Sequence, residues 1–178
     1  MGAGLGGGSS DAAFTLKGLN EVFNMGLTIR ELEELAGQLG SDCPFFIQNK
    51  PSLVTGTGNL FEDVQFDLKK TKILLVYPGL HISTALAYSN VKPKANEKHY
   101  KKYPLDKSLW RNYFINDFEK SVEKDFPVIN SLKNKLYESG AFYASMSGSG
   151  STVFGLFEEK CPEVSFPENY ITWKGSFL

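Results

Sequence analysis

Glycine and serine at the start of the chain form the pattern with the clearest chemistry. Five glycines fall within seven residues and two serines follow them, at Gly2, Gly4, Gly6, Gly7, Gly8, Ser9 and Ser10. Glycine lets the backbone adopt positive φ and lets an anion approach the main chain closely. A helix that begins beside such a loop adds free N–H groups and the positive end of its dipole. The pattern predicts a phosphate-binding loop followed by a helix from Ser9 or Ser10.

The two serines extend this prediction to a metal ion. Their hydroxyls can hydrogen-bond a phosphate oxygen or coordinate Mg²⁺ as hard oxygen donors. The loop lacks the Gly-Lys-Ser/Thr of P-loop enzymes, and within this chain no strand precedes it, as the dinucleotide fingerprint requires. The alternative is a flexible Gly/Ser linker joined to a helix. We favour the phosphate-binding loop because the pattern stops at residues that suit the start of an amphipathic helix.

Asp42 is the candidate catalytic carboxylate. It lies in the segment Ser41-Asp42-Cys43-Pro44. A carboxylate near a transferred phosphoryl group can accept the proton of the attacking hydroxyl or orient its attack. Aspartate in such a segment is also a common turn residue. The residues alone favour the turn.

The elements that must position these residues follow from apolar spacing and end signals. A helix is predicted over 10–24, and a second begins at Thr28, where Thr28 and Glu31 match a capping box, and ends at Gly40. Pro44 disfavours helical geometry at the preceding residue, so the apolar run 45–47 is predicted as a strand.

The rest of the chain suggests a sheet covered by helices. Strands are predicted at 52–55, 60–64, 72–77, 141–145, 152–157 and 170–173, and helices from Ser83 or Thr84 to Tyr88, at 109–126 and at 127–139. The stretch 92–107 is lysine-rich and is predicted as a solvated loop. Strand, glycine turn and strand behind two helices indicate an α+β arrangement with helices on one face of an antiparallel sheet.

Composition excludes several classes of function. The chain has 178 residues, 42% of them hydrophobic, with 19 Lys plus Arg against 20 Asp plus Glu. This balance argues against nucleic-acid binding, which usually needs a dense positive field. No apolar run reaches the ~18 residues of a membrane span, and we expect a cytoplasmic protein. Cys43 and Cys161 lack the spacing of a zinc site or a disulfide framework.

Three segments together resemble the GHMP kinase family. The segment 2–13 resembles the family's second motif, the loop that wraps the ATP phosphates, and 146–154 resembles the third, a glycine turn that packs beside that loop. Between them, 40–46 is similar to the segment carrying the catalytic aspartate. The resemblance adds Leu5, Gly148, Ser149 and Gly150 to the expected ATP-binding residues. It also favours the catalytic role for Asp42 over the turn.

The resemblance implies a fold and a domain organisation. We expect an α+β, GHMP kinase-like chain whose first part, 1–68, is an incomplete N-terminal domain of the ribosomal S5 domain 2-like type. The second part, 69–178, is expected to be an antiparallel-sheet C-terminal GHMP domain. In the family, further N-terminal strands and a lysine at the acceptor site come before the glycine loop, and neither precedes Met1. We therefore expect the 178-residue chain alone to lack kinase activity.

Details within the family point to a substrate that carries cytidine diphosphate. By this resemblance, Thr84 and Tyr88 would hold the cytidine part, with Tyr88 stacking on the base, and ATP with Mg²⁺ would phosphorylate an alcohol in isoprenoid precursor biosynthesis. Tyr88 could equally be a core aromatic residue. For 116–119 we favour a structural helix cap. The alternatives are another small-molecule kinase of the family, acting on mevalonate, homoserine or a sugar, and a noncatalytic fragment.

Overall fold

The chain folds as two compact units in a computed structural model that describes residues 2–89, 91 and 103–177. The first unit is Gly6–Phe66, and the second is Asp67–Leu178 together with Gly2–Leu5. The domain boundary expected after residue 68 stays a prediction. Of the predicted solvated loop at 92–107, the part 92–102 lies outside the described residues.

The first unit consists of three helices and a hairpin. The helices are α1 (Gly7–Val22), α2 (Ile29–Leu39) and α3 (Cys43–Gln48), and the antiparallel strands are β1 (Ser52–Thr55) and β2 (Leu60–Asp63). Buried apolar side chains from all three helices form the core of this unit: Ala13, Leu32, Ala36, Cys43 and Ile47. The hairpin confirms the strands predicted on either side of the Gly56–Asn59 turn.

The capping box predicted at the start of α2 is confirmed. The backbone N–H of Glu31 donates to Thr28 Oγ1 at 3.3 Å, and the N–H of Thr28 donates to Glu31 Oε2 at 2.8 Å. These hydrogen bonds lower the pKa of the Glu31 carboxyl, the backbone bond from Thr28 contributing most. Two orphan donors of the helix end are thereby satisfied by two residues close in sequence.

Two predicted elements are wrong. The run 45–47 is not a strand but part of α3, which carries Pro44 in its first turn. Proline lacks an N–H and has a φ suited to a helix start, so at this position it favours the helix that it would disfavour in the interior. The helix predicted over 109–126 is divided into a 3₁₀ turn (Lys107–Leu109), α5 (Trp110–Tyr113) and α6 (Asp117–Val122).

The second unit is built on an antiparallel sheet, as predicted. Its helices do not all lie on one face, because Trp110 and Phe114 contact Tyr143, which points to the face opposite Ala144. Strands β3 (Lys72–Tyr77), β4 (Tyr143–Met146), β5 (Val153–Phe157) and β6 (Ile171–Ser176) lie in the order β4-β5-β3-β6, with every neighbouring pair antiparallel. The remaining helices are α4 (Thr84–Ser89) and α7 (Val128–Glu138).

The core of this unit follows from strand alternation and helix periodicity. Leu74 and Val76 of β3 are buried against Ile129, Leu132 and Leu136, which recur at helical spacing along α7. Among the described residues, no helix is both long and apolar enough to cross a bilayer.

Candidate functional site

Residues 2–5 of the first glycine segment (2–8) and the glycine turn at 147–151 pack against each other within the second unit. The N–H of Thr152 donates to Ala3 O at 3.1 Å, and Ser147 Oγ donates to Gly4 O at 2.7 Å. Residues more than 140 positions apart in sequence thus meet, as the family resemblance implied. The contact fixes the backbone of both glycine segments.

Glycine is required by packing at this contact. Gly4 has a φ of +76°, and a Cβ there would lie 2.3 Å from Ser147 O and 2.7 Å from Gly150 O. Gly150 has a φ of +94°, and its Cβ would lie 2.7 Å from Met146 Sδ. Neither position could hold a larger residue without moving the backbone of the loop or its neighbours.

The start of α1 presents a different kind of glycine. The helix begins at Gly7, earlier than the predicted Ser9 or Ser10, after Gly6 in a left-handed conformation with φ 65°. Beyond the helix's own backbone and the chain neighbours, a Cβ at Gly7 or Gly8 would meet no atom of the described residues within 4 Å, so packing against these residues does not explain glycine there.

The same helix start suits an anion. The first helical hydrogen bond runs from Ser10 N to Gly6 O at 2.9 Å, and no side chain caps the helix. The first-turn N–H groups therefore have no intrahelical acceptor. Ser9 and Ser10 lie in this turn, half-buried. These residues fit the phosphate tail of a nucleotide, because main-chain donors, hydroxyls and space around the glycines coincide.

Asp42 precedes α3, and its carboxylate is exposed. It makes no capping hydrogen bond to the helix that follows, and Ser41 Oγ donates to its Oδ1 at a long 3.5 Å. Among the described residues it has no ion pair. A turn residue would use its side chain to bond the nearby backbone. Asp42 nevertheless lies within a turn, because Cys43 N donates to Gly40 O at 3.1 Å, so its position is compatible with both the turn role and the catalytic role.

The packing of the first unit brings Asp42 towards the start of α1. A Cβ at Gly6 would lie 3.0 Å from Phe46 Cζ, so the Phe46 ring lies against the residue that precedes α1. Asp42 and Phe46 are four residues apart, on the same face of α3 and separated by a rise of about 6 Å. Lys17 Nζ of α1 donates to Ile47 O at 3.0 Å and links the two helices further. Helix α3, which follows Asp42, is therefore packed against α1 and against the residue that precedes α1.

Thr84 and Tyr88, predicted to hold the cytidine, both lie on α4 with exposed side chains. The residue that caps α4 is Ser83, whose Oγ accepts from Leu86 N at 3.2 Å. The Tyr88 side chain is 62% exposed and contacts Phe118 edge-on, with ring centroids 4.8 Å apart. A side chain with this exposure is not a core aromatic residue.

Asn116 contacts the glycine turn and Glu119 contacts the two residues directly before it, and neither contact was predicted from the sequence. The predicted cap is confirmed, because the N–H of Phe118 donates to Asn116 Oδ1 at 3.0 Å. In addition, the Asn116 amide donates to two carbonyls of the turn region, and the Glu119 carboxylate accepts hydrogen bonds at the end of β4. The stretch Asn116-Asp117-Phe118-Glu119 was a visible signal, but contacts across roughly 30 residues leave no local pattern.

A small cavity borders β4 in the same unit. It has a volume of about 210 Å³, and its walls include Arg111, Glu119 and Lys133 but none of the predicted nucleotide-binding residues. Nearby, burial raises the pKa of Tyr143 to about 12, so its hydroxyl stays protonated and donates to Phe114 O at 3.2 Å. The residues around this cavity pack against the end of β4, next to the turn 147–151.

Family models match two parts of the chain. The model described as "GHMP kinases N terminal domain" matches residues 1–50, and "GHMP kinases C terminal" matches residues 103–163. Together the two matches take in more than half of the chain and include both glycine segments and Asp42.

Curated relatives named 4-diphosphocytidyl-2-C-methyl-D-erythritol kinase are similar over nearly the whole chain. The protein from Bacteroides fragilis is 51% identical over 93% of this chain and 61% of its own length. The protein from Parabacteroides distasonis is 49% identical over 98% of this chain and 66% of its own length. The chain thus spans less than two thirds of the length of these relatives.

Solved structures give the same picture of the fold. The crystal structure of a 4-(cytidine 5'-diphospho)-2C-methyl-D-erythritol kinase matches with a TM-score of 0.70 and 31% identity, over 89% of this chain and 59% of that one. A homoserine kinase from Cytophaga hutchinsonii matches with a TM-score of 0.56 at 18% identity, over 99% of this chain and 66% of that one, which supports the fold alone.

Proposed function

Since the chain belongs to the GHMP kinase family, we propose that it serves the ATP-dependent phosphorylation of an alcohol, the 2-hydroxyl of 4-diphosphocytidyl-2-C-methyl-D-erythritol. The substrate is taken from the names of the relatives that are about 50% identical to this chain. The reaction belongs to isoprenoid precursor biosynthesis and calls for a small anionic substrate rather than a nucleic acid.

The position of Asp42 carries this proposal. Its carboxylate is exposed, makes no helix-capping bond and lies one helical turn from the ring that contacts Gly6. Phosphoryl transfer to an alcohol needs a group that orients the hydroxyl and accepts its proton beside a site that holds phosphates. Asp42 is the proposed group, and the start of α1 is the proposed phosphate site.

The phosphates of ATP are proposed to bind main-chain donors of both glycine segments. The residues are Gly2, Gly4, Leu5, Gly6, Gly7, Gly8, Ser9 and Ser10, with Gly148, Ser149 and Gly150 of the turn. Ser9 and Ser10 are the candidate ligands of Mg²⁺, because their hydroxyls are hard oxygen donors in the first turn of α1. When bound, the ion neutralises phosphate charge, while the glycine segments hold the nucleotide in place.

The cytidine end of the acceptor substrate is proposed to lie against α4. The accessible ring of Tyr88 can stack on the base, and Thr84, one helical turn before it, can donate a hydrogen bond to the phosphates or the sugar. Phe118 contacts the Tyr88 ring in an edge-to-face arrangement, with the ring centroids 4.8 Å apart, and restricts its movement.

A chimera tests the proposed activity. This chain would replace the matching residues of the Parabacteroides distasonis relative, and phosphorylation of the diphosphocytidyl substrate by MgATP would be measured. We expect activity, a loss of about 100-fold or more in kcat for Asp42→Asn, and no change in thermal unfolding. Asp63→Asn is the matched control, because Asp63 is an exposed carboxylate that pairs only with Lys50 among the described residues. An active Asp42→Asn chimera would remove Asp42 from the mechanism.

A further inference from the structure

Asn116 joins the start of α6 to the glycine turn. Its Oδ1 accepts from Phe118 N at 3.0 Å, which caps the helix. Its Nδ2 donates to Met146 O and to Gly148 O, both at 2.8 Å. An asparagine amide has two donor hydrogens, so both are used on the two carbonyls. One side chain therefore fixes the turn from the side of α6.

Glu119 holds the residue before the turn from the same helix. Its Oε1 accepts from Met146 N at 2.8 Å and from Ser145 Oγ at 3.0 Å, and its Oε2 is paired with Lys133 Nζ of α7. The side chains of Glu119 and Lys133 are only 11% and 20% exposed. A largely buried carboxylate with these partners is held in one position, and the Lys133 ammonium supplies its counter-charge.

The two residues hold a segment that would otherwise be easily deformed. Gly148 and Gly150 both have positive φ, and glycine has the largest conformational freedom to lose on ordering. A turn that binds phosphate through its backbone binds more tightly when its conformation is fixed beforehand, because less entropy is lost on binding. Met146, directly before this turn, is held at both backbone groups, because Asn116 donates to its C=O and Glu119 accepts from its N–H.

We propose that Asn116 and Glu119 are positioning residues that hold the turn 147–151 in its nucleotide-binding conformation, an inference that rests on the proposed function. Neither residue has to touch the nucleotide. Asn116 acts through the carbonyls of Met146 and Gly148, and Glu119 acts through the N–H of Met146. Their effect on nucleotide affinity is therefore separable from their effect on the stability of α6.

Asn116→Asp separates the two effects. Aspartate caps helices about as well as asparagine, so the bond from Phe118 N is kept. Its second oxygen replaces the donor nitrogen and faces two carbonyl oxygens, which repel it. Asn116→Ser is the second variant, since serine also caps but is too short to reach the turn and introduces no charge. Asp106→Asn is the control, because Asp106 caps the 3₁₀ turn through Ser108 N at 2.9 Å, away from the glycine turn in sequence.

Amide hydrogen exchange of this chain without nucleotide gives the first measurement. In both Asn116 variants we expect the amides of Ser147, Gly150 and Thr152 to exchange at least tenfold faster, while the α6 amides stay as protected as in the wild type. If Asn116 served only as a helix cap, neither the turn nor α6 would exchange faster, because both variants keep the cap. Turn amides that stay protected in both variants would overturn the proposal.

Calorimetric titration with MgATP gives the second measurement. We expect about tenfold weaker binding in both Asn116 variants and an unchanged Kd in Asp106→Asn. Faster exchange of the turn with unchanged ATP affinity would overturn the positioning role. Wild-type protein that binds no MgATP either alone or within the chimera would instead contradict the proposed function, so the two failures give different results.

Discussion

Replacing Gly7 by alanine should stabilise the protein and weaken its binding of nucleotide. Gly7 and Gly18 both lie in α1, and a Cβ at either would lie more than 4 Å from every described residue outside the surrounding helix. Alanine in a helix interior is favoured over glycine by about 0.5–1 kcal/mol. For a chain of this size that corresponds to a rise of about 1–4 °C in the unfolding midpoint. Gly18→Ala should show this rise in full, and Gly7→Ala a smaller one because the first turn is less constrained.

The two variants should differ in nucleotide affinity. If the phosphates approach the main chain at Gly7, a methyl group there removes one or more charge-assisted hydrogen bonds, each worth about 1.5–3 kcal/mol. The affinity for MgATP should then fall about tenfold to a hundredfold. Gly18 lies three turns further along the helix, and Gly18→Ala should bind MgATP as the wild type does.

Thermal unfolding and calorimetric titration with MgATP, performed on the same preparations, measure both effects. The reasoning requires opposite changes in stability and affinity for Gly7→Ala, and a change in stability alone for Gly18→Ala. Equal MgATP affinity in the wild type and in Gly7→Ala would mean that the glycines at the start of α1 serve only as a tether.

Three further substitutions test other parts of the structure. Thr152→Val should raise the unfolding free energy by about 1 kcal/mol, because Thr152 Oγ1 is buried without a hydrogen-bond partner in the described part of the chain; a clear loss in denaturant unfolding would show that the hydroxyl is bonded. Thr28→Ala should cost about 1 kcal/mol by removing the helix cap. The folded-state pKa of Glu31 is lowered from 4.5, so the stability that the ionised Glu31 carboxylate contributes is present above that value and should be lost as the pH falls through the lowered pKa. Thr28→Ala should make the unfolding free energy less dependent on pH in this acid range, and an equally steep dependence in wild type and variant would contradict this. Tyr88→Ala should weaken cytidine diphosphate binding more than MgATP binding and barely change stability. If the variant binds each ligand with the same Kd as the wild type, Tyr88 does not stack on the base.

Sequence signals predicted elements well where their cause is local. Thr28 and Glu31 form the capping box from residues three apart, and the hairpin 52–63 follows from a glycine-containing turn between two short apolar runs. Pro44 shows the limit of such signals, because proline is compatible with a helix start and with a strand entry. Burial of the neighbouring Cys43 and Ile47 against α1 and α2 decides in favour of the helix, and that burial depends on tertiary packing.

The candidate site was predictable in part for the same reason. Both glycine segments and Asp42 are visible as short patterns. The contact between Ala3 and Thr152 agrees with the expected packing of the glycine turn beside the first loop. Asn116 also carried a local signal, its role as a helix cap. Its second role depends on the end of β4 lying beside the start of α6, which is set by the fold of the second unit and by no spacing in the sequence.

The glycines near the N-terminus show why a residue pattern and its physical cause must be separated. Gly4 and Gly7 look alike in sequence, yet Gly4 has positive φ and a Cβ there would collide with two backbone oxygens. Gly7 is helical, and in the described part of the chain a Cβ there would contact nothing outside its own helix. Gly4→Ala should therefore break the contact with the turn whether or not a nucleotide is bound, and lower stability by at least the ~1 kcal/mol of a left-handed alanine. Gly7→Ala should reveal its cost only when phosphate binds. The difference between these two substitutions distinguishes a glycine that the fold requires from one that a ligand requires.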